Sequence, residues 1–321
     1  MRLGIVSTAD INRKVIPGAR ASDKVDLVAV ASRSQAKAEE YAKEWEIERA
    51  YGSYEALIED PDVDAVYISL PNTMHREWSI RSLEAGKHVI CEKPFSRQPE
   101  DVEAAFDAAE RSGRHLTEAF MYRHNPQTAR LAELVREGAI GDLRVVRTTF
   151  SYSLYDADNI RLRTDVDGGS LMDVGCYCVS GARLLAGEPE SVTGHAYTGP
   201  SGTDWVFTGA MRFAGDVHAL FDCGTSLPER DELEAIGTEG SLFLDDPWHC
   251  NEPVIELRRR AGDVERIELE RVDSYRLELE NLADAIAGDA PLLLGREDAL
   301  GQARTIDALS RSAASGTAVR L

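Results

Sequence analysis

The sequence predicts an α/β chain in two parts: an N-terminal doubly wound domain, then a C-terminal α+β domain with a large, mainly antiparallel open sheet. Three observations predict it. Up to about residue 120, short apolar runs alternate with helical patterns, and strands apolar nearly end to end belong to parallel sheets covered on both faces. From Ser191 to about Glu270, β-rich runs follow one another with only Gly, Pro and Asp turns between them, which implies antiparallel pairing. With 321 residues and 43 % hydrophobic content, the chain is long enough for two cores. The expected division is 1–120 and 121–321.

In order, Leu3 to Ser7 is a strand, and the loop from Thr8 leads into a helix from about Asn12 to Ala21. Asp26 to Ser32 is a second strand and Ser34 to Trp45 a helix with charged faces. Val63 to Leu70 is a third strand; Thr73 can then cap a helix that Gly86 ends. His88 to Pro94 reads as a strand, about 99–112 as a helix, and His115 to Ala119 as a strand, completing a Rossmann-type domain. The grammar then changes. A helix over about 126–137 is followed by a long strand from Leu143 to Tyr155, and Gly168-Gly169 opens a helical stretch to about Ala186. Runs at Val192–Thr198, Trp205–Phe213, Val217–Cys223, Glu232–Ile236, Ser241–Leu244 and Val254–Arg258 form the second sheet. Helices over about 275–287 and 297–314 close the chain.

Charge narrows the function. A net charge of −20 argues against nucleic acid, because phosphate binding needs a basic face. No apolar run approaches a membrane span, and the chain starts on a strand pattern, not a signal peptide. The five cysteines are scattered and odd in number, which fits neither a disulfide framework nor a zinc site, so no metal is expected. A reducing cytoplasm is the expected compartment.

Four stretches carry chemistry. Aligning G-x-G-x-x-G on the loop after the first strand puts Ser7, Ala9 and Asn12 at the glycine positions; Ser and Ala are small enough for a pyrophosphate to approach the backbone. Where NAD-preferring sites carry an acid at the end of the second strand, this chain has Ser32-Arg33-Ser34. An arginine pairs with a 2′-phosphate that a carboxylate would repel, so NADP(H) is the expected cofactor in preference to NAD. The third stretch is the strand end Glu92-Lys93-Pro94, where proline keeps Lys93 extended at the carboxyl edge of the sheet. Far along the chain, Asp173 and Tyr177 are four apart in a helical pattern and are expected to share a face. A nearby cation would lower a phenol's ordinary value near 10, and Lys93 is the last lysine in the sequence.

Taken together, these residues resemble the glucose-fructose oxidoreductase / inositol dehydrogenase family (Gfo/Idh/MocA) over essentially the whole chain. The resemblance rests on G-I-V-S-T-A-D-I at the N-terminus, S-L-P-N-T-M-H at 69–75, E-K-P at 92–94, E-A-F-M-Y-R-H-N-P at 118–126, N-I-R at 159–161 and G-G-S-L-M-D-V-G-C-Y at 168–177. Tyr177, where many members carry His, is similar to the branch of dihydrodiol dehydrogenases and NADP-dependent D-xylose 1-dehydrogenases. The resemblance implies NADP(H) lying across Ser7, Thr8, Ala9, Asp10 and Ile11, across Ser32, Arg33 and Ser34, across Leu70, Pro71, Asn72 and His75, and across Glu92 and Lys93. It places Arg123 and Arg161 near cofactor or substrate and the nicotinamide against a pocket floored by the second sheet.

On this reading hydride moves between nicotinamide and a sugar (aldose C1) or a related polyol or diol. Tyr177 exchanges the hydroxyl proton, Lys93 tunes it, and Asp173 orients a sugar hydroxyl or Lys93. The resemblance also implies pairing through the open sheet face, giving a homodimer or homotetramer. Three alternatives stay open: a keto-sugar reductase of the 1,5-anhydrofructose reductase type, a non-catalytic cofactor- and sugar-binding regulator, and a member that retains its cofactor for hydrolysis or elimination. Intact Lys93, Asp173 and Tyr177 speak against the regulator.

Overall fold

A computed structural model describes residues 1–154, 156 and 158–321. Tyr155, the expected last residue of the long strand, lies outside the described residues. The chain divides into two compact units, one of Met1–Met121 with Asp273–Leu300, the other of Tyr122–Val272 with Gly301–Leu321.

The first unit holds a six-stranded sheet. In chain order its elements are β1 (Arg2–Val6), α1 (Asn12–Arg20), β2 (Asp26–Ala31), α2 (Gln35–Glu44), β3 (Arg49–Tyr51), α3 (Tyr54–Ile58), β4 (Ala65–Ile68), α4 (His75–Glu84), β5 (His88–Glu92), α5 (Pro99–Ser112) and β6 (Leu116–Ala119). The strand order is β3-β2-β1-β4-β5-β6, every pair parallel. Strand order therefore reverses between β1 and β4, and ligands of such sheets sit at the carboxyl ends beside that reversal. Sequence reading missed β3 and α3 because three half-buried residues and a five-residue helix are too short to display a period. Thr73 does not cap α4: it sits in a 3₁₀ turn over Asn72–Met74, and α4 starts without a side-chain cap.

The second unit contains α6 (Pro126–Arg136), β7 (Leu143–Ser153), α7 (Cys176–Ala186), β8 (Pro189–Thr198), β9 (Asp204–Phe213), β10 (His218–Gly224), β11 (Ser226–Gly237), β12 (Gly240–Leu244), β13 (Val254–Arg259) and β14 (Val264–Glu268). The chain ends in α8 (Ser274–Ala287), α9 (Arg296–Ser315) and β15 (Val319–Arg320). The nine-stranded sheet runs β14-β13-β12-β11-β7-β10-β9-β8-β15 and is antiparallel except where β10 lies parallel to β7. Edge strand β14 escaped the sequence reading because it is mostly charged, with Val264 half exposed. Gly194 on β8 admits α9: a side chain there would meet the Leu309 carbonyl at 2.7 Å and the Phe207 ring at 2.6 Å.

Helix α8, assigned by sequence reading to the 121–321 domain, belongs to the first unit. Its Leu279 and Leu282 are fully buried with Val15, Ile16 and Ala19 of α1 and with Ile5 and Tyr67 of the sheet. Gly18 permits the approach, since a Cβ there would lie 2.8 Å from the Arg276 nitrogen.

Helix α8 also carries an acid into this core. Glu278 is 1 % exposed, and neither carboxyl oxygen has a hydrogen-bond partner among the described residues. Burial, with Glu92 and Asp273 nearby, holds its pKa well above the ordinary carboxylate range. The folded protein thus keeps a proton that the unfolded chain releases near pH 4.3, so stability is lost as pH rises from that value toward the folded pKa. Glu278→Gln is expected to remove that loss, gaining about 1.4 kcal/mol over wild type for each pH unit in this window. Urea midpoints of both proteins at pH 4, 6 and 8 measure it; parallel pH profiles would refute it.

Candidate active site

In the first unit the site is built where β1 and β4 end. Ser7 follows β1 with φ of 136°, a left-handed backbone that favours glycine and costs a serine about 1–3 kcal/mol. Side chains hold it there. Ser7 Oγ accepts from the Ala9 N–H at 3.1 Å and shares a 2.7 Å hydrogen bond with Ser69 Oγ, across the strand-order reversal. Asn12, fully buried at the third glycine position, donates to the Ser7 carbonyl at 3.0 Å and accepts from Ser69 at 2.7 Å. The chain thus replaces the glycine fingerprint with a hydrogen-bonded brace. Thr8, Ala9 and Ile11 stay partly exposed and Asp10 is exposed.

At the end of β2, Ser32 is buried, Arg33 is exposed, and Ser34 caps α2 through a long 3.5 Å bond from the Lys37 N–H. The Tyr54 phenol lies beside the Arg33 guanidinium, which lowers its pKa against the larger upward push of burial. A guanidinium and two hydroxyls at a helix N-terminus, with no acid among Ser32, Arg33 and Ser34, are the donor set a phosphate ester requires.

The loop after β5 is tied from three directions. Tyr67 donates a short hydrogen bond to Glu92 Oε1, and Glu92 Oε2 accepts from the Lys93 N–H at 3.2 Å. Glu118 on β6 accepts from the Phe95 N–H at 2.7 Å. His75 is fully buried, its Nε2 2.8 Å from the Leu70 carbonyl and its Nδ1 3.1 and 3.2 Å from those of Pro94 and Phe95. Sequence reading took His75 for a cofactor contact. It has no exposed surface, and its ring is enclosed between carbonyls of the loop after β4 and of the loop after β5, one of which accepts its N–H. Leu70 is likewise buried, whereas Pro71, Asn72, Glu92 and Lys93 are partly exposed.

In the second unit the expected regular helix around Asp173 is not what forms. Leu171–Gly175 winds as a π turn before α7, with Gly175 so close to β10 that a Cβ would meet Cys223 Sγ at 2.8 Å. The four-residue spacing of Asp173 and Tyr177 therefore spans two kinds of helix. Asp173 accepts a short hydrogen bond from the Tyr152 hydroxyl, and Arg161 Nε donates to it at 3.0 Å. Burial, with the Asp173 charge, drives the Tyr152 pKa far up, so this phenol keeps its proton and donates it to the Asp173 carboxylate. Tyr177, 8 % exposed, packs its ring edge-on to Phe150 at 5.3 Å, with Tyr122 at 5.7 Å and Trp248 at 5.9 Å. The Tyr122 hydroxyl hydrogen-bonds Ser180 Oγ at 2.8 Å, and Arg123 Nη1 reaches the same atom at 3.4 Å.

Tyr152, Phe150 and Trp248 were not singled out from the sequence. The only signal was the aromatic pair at alternate positions near the end of β7, and alternation alone does not say which face is lined.

The whole chain is 40 % identical to the whole of a D-xylose 1-dehydrogenase (NADP(+)) from Haloferax volcanii. The chain belongs to the Gfo/Idh/MocA family. Its model of an oxidoreductase with an NAD-binding Rossmann fold matches residues 1–120, and the Gfo/Idh/MocA C-terminal domain matches residues 128–243. An aldose-aldose oxidoreductase from Caulobacter crescentus, solved with glycerol, superposes with a TM-score of 0.93 at 27 % identity over 100 % of this chain and 99 % of that one. A 3-ketoreductase from Actinomadura kijaniata, solved with NADP and TDP-benzene, superposes with a TM-score of 0.91 at 30 % identity over 97 % of both chains. The chain is thus a Gfo/Idh/MocA oxidoreductase built on a dinucleotide-binding domain.

Proposed function

We propose that this protein is an NADP-dependent dehydrogenase that oxidises a sugar at its aldose C1, or a related polyol or diol. Similarity along the full length to an NADP-dependent D-xylose 1-dehydrogenase carries this reading. The exposed Arg33 between two serines, with no acid among the three, supports NADP(H) over NAD. When bound, the cofactor accepts the hydride.

The chain's own residues supply the rest. Tyr177 takes the hydroxyl proton, and Lys93 supports the ionised phenol in the same step. Asp173, held by Tyr152 and Arg161, is a fixed acceptor for a substrate hydroxyl. Ser7 and its neighbours, Ser32 to Ser34 and the braced loop of Glu92 and Lys93 hold the cofactor. A panel of aldoses, polyols and trans-diols followed by NADPH absorbance in both directions tests the reading; absence of NADP-dependent turnover on every member would sink it. Similarity to a 3-ketoreductase favours keto-sugar reduction as the second reading, separable by running the same panel toward NADPH consumption.

We also infer a homodimer or homotetramer, joined through the face of the nine-stranded sheet that carries Arg147, Thr149, Leu220, Arg230, Glu234 and Phe243. Leu220 is half exposed on this face, and Glu234 lies opposite Arg147 in register. Sedimentation equilibrium at micromolar concentration is expected to give at least twice the 35.3 kDa monomer mass. A monomer unaffected by salt or dilution refutes the inference. All five cysteines are buried and none forms a disulfide among the described residues, which supports a reducing, cytoplasmic setting.

A further inference from the structure

The second unit carries a histidine that the chemistry above does not use. His249 is half exposed, and its Nδ1 lies 2.6 Å from Asp231 Oδ2. Its Nε2 makes no hydrogen bond among the described residues. The loop that presents it is pinned at both ends. Asp246 accepts the N–H groups of His249, Cys250, Asn251 and Glu252 at 2.5–3.2 Å. The adjacent Trp248, fully buried, donates from its indole to the Thr149 carbonyl at 3.0 Å.

This held imidazole is separated from the proposed proton-transfer group by one aromatic ring. Its ring is edge-on to Phe150 at 5.4 Å, and the same Phe150 ring is edge-on to Tyr177 at 5.3 Å. Asp231 lies opposite Phe150 in the β7–β11 register, so both side chains rise from the same face of the sheet. The Phe150 ring is thus shared, in edge-on contact with Tyr177 on one side and with His249 on the other.

We propose that His249 is a substrate-binding residue whose Nε2 hydrogen-bonds a sugar hydroxyl remote from the carbon that exchanges hydride. This rests on the dehydrogenase reading above and deepens it by naming a substrate class. The recess that His249 lines, about 350 Å³, carries Glu229, Asp231, Asp245 and Asp246. Arg230, on the same recess, is paired with Asp222. Such a wall accepts the hydroxyls of a neutral sugar and repels a nucleoside diphosphate. The substrate is therefore a free sugar and not a nucleotide-linked one. A cation is not the natural occupant. Asp246 spends its lone pairs on four backbone N–H groups and Asp231 holds the imidazole, although their ligand atoms and that of His249 lie within 4.8 Å of one another.

The test uses the full-length enzyme with NADP, D-xylose, and D-xylose analogues lacking the 3- or the 4-hydroxyl. His249→Phe is expected to raise KM for D-xylose about tenfold with kcat within twofold, and His249→Gln, which keeps a hydrogen-bonding group, is expected to recover part of that loss. One deoxy analogue should cost wild type about tenfold in kcat/KM and cost His249→Phe nothing further, because residue and hydroxyl form one interaction. An unchanged KM in His249→Phe, or the same loss on hydroxyl deletion in both proteins, overturns the inference alone. Turnover of polyols or diols but of no aldose by wild type also overturns the inference alone, whereas no turnover of any aldose, polyol or diol of the panel above overturns it together with the dehydrogenase reading.

Discussion

Tyr177→Phe is expected to bind NADP(H) as wild type does and to lose turnover by about 10²- to 10⁴-fold, the range expected of a general acid–base group. The substitution removes one oxygen and leaves the ring, so the packing on Phe150, Tyr122 and Trp248 is retained and the loss isolates the hydroxyl. Lys93→Met should lose turnover similarly. The double variant should be barely worse than either single one, because groups acting in one proton transfer are not additive. In the oxidative direction the wild-type rate should rise with pH through one ionisation, and Tyr177→Phe should lack that limb. Steady-state kinetics across pH, with cofactor binding followed by nicotinamide fluorescence, measure all of this. The competing assignment makes Lys93 the acid–base group and Tyr177 a wall. Its signature is a Tyr177→Phe enzyme within about threefold of wild type and with the same pH profile, against the hundredfold or greater loss of a true acid–base group.

Arg33→Asp is expected to cut kcat/KM for NADP roughly ten- to a hundredfold, the value of a charge-assisted contact to phosphate, while use of NAD holds or improves. The improvement follows from charge: an acid at this position accepts from the ribose hydroxyls of NAD and repels the 2′-phosphate of NADP. Arg33 is exposed at the end of β2, so the change should leave the fold intact. A thermal melt alongside the kinetics separates lost affinity from lost stability. Wild type that uses NAD as well as NADP, or an Arg33→Asp enzyme with unchanged preference, would overturn the assignment.

The sequence alone determined the parallel sheet, because strands buried on both faces must be apolar along their buried length, as β4 is throughout and β5 is from Val89 to Cys91. It determined the second sheet's character through runs without intervening helices. It also determined the family, since E-K-P and G-G-S-L-M-D-V-G-C-Y are local strings. Arg33 was legible because its position, the end of a strand before a helix, is itself a local pattern.

What depended on contacts between distant residues was not legible. The loss of glycine at residue 7 reads as a weakened fingerprint until Ser69 and Asn12 are seen bracing it. His75 reads as a ligand contact until three carbonyls, two of them about twenty residues away, enclose it. Helix α8 reads as part of the domain whose sequence precedes it, yet its apolar stripe packs on α1, more than two hundred and fifty residues earlier. The π turn at Leu171–Gly175 was hidden because its string does not differ from that of an α-helix, whereas in the fold Gly175 lies against Cys223 of another strand. His249 carries no motif at all; only the pairing of β11 with β7 brings Asp231 beside Phe150, and so the imidazole beside the ring that touches Tyr177. Periodicity and strings report what neighbours in sequence do, whereas these five features are set by side chains that meet only once the sheets have formed.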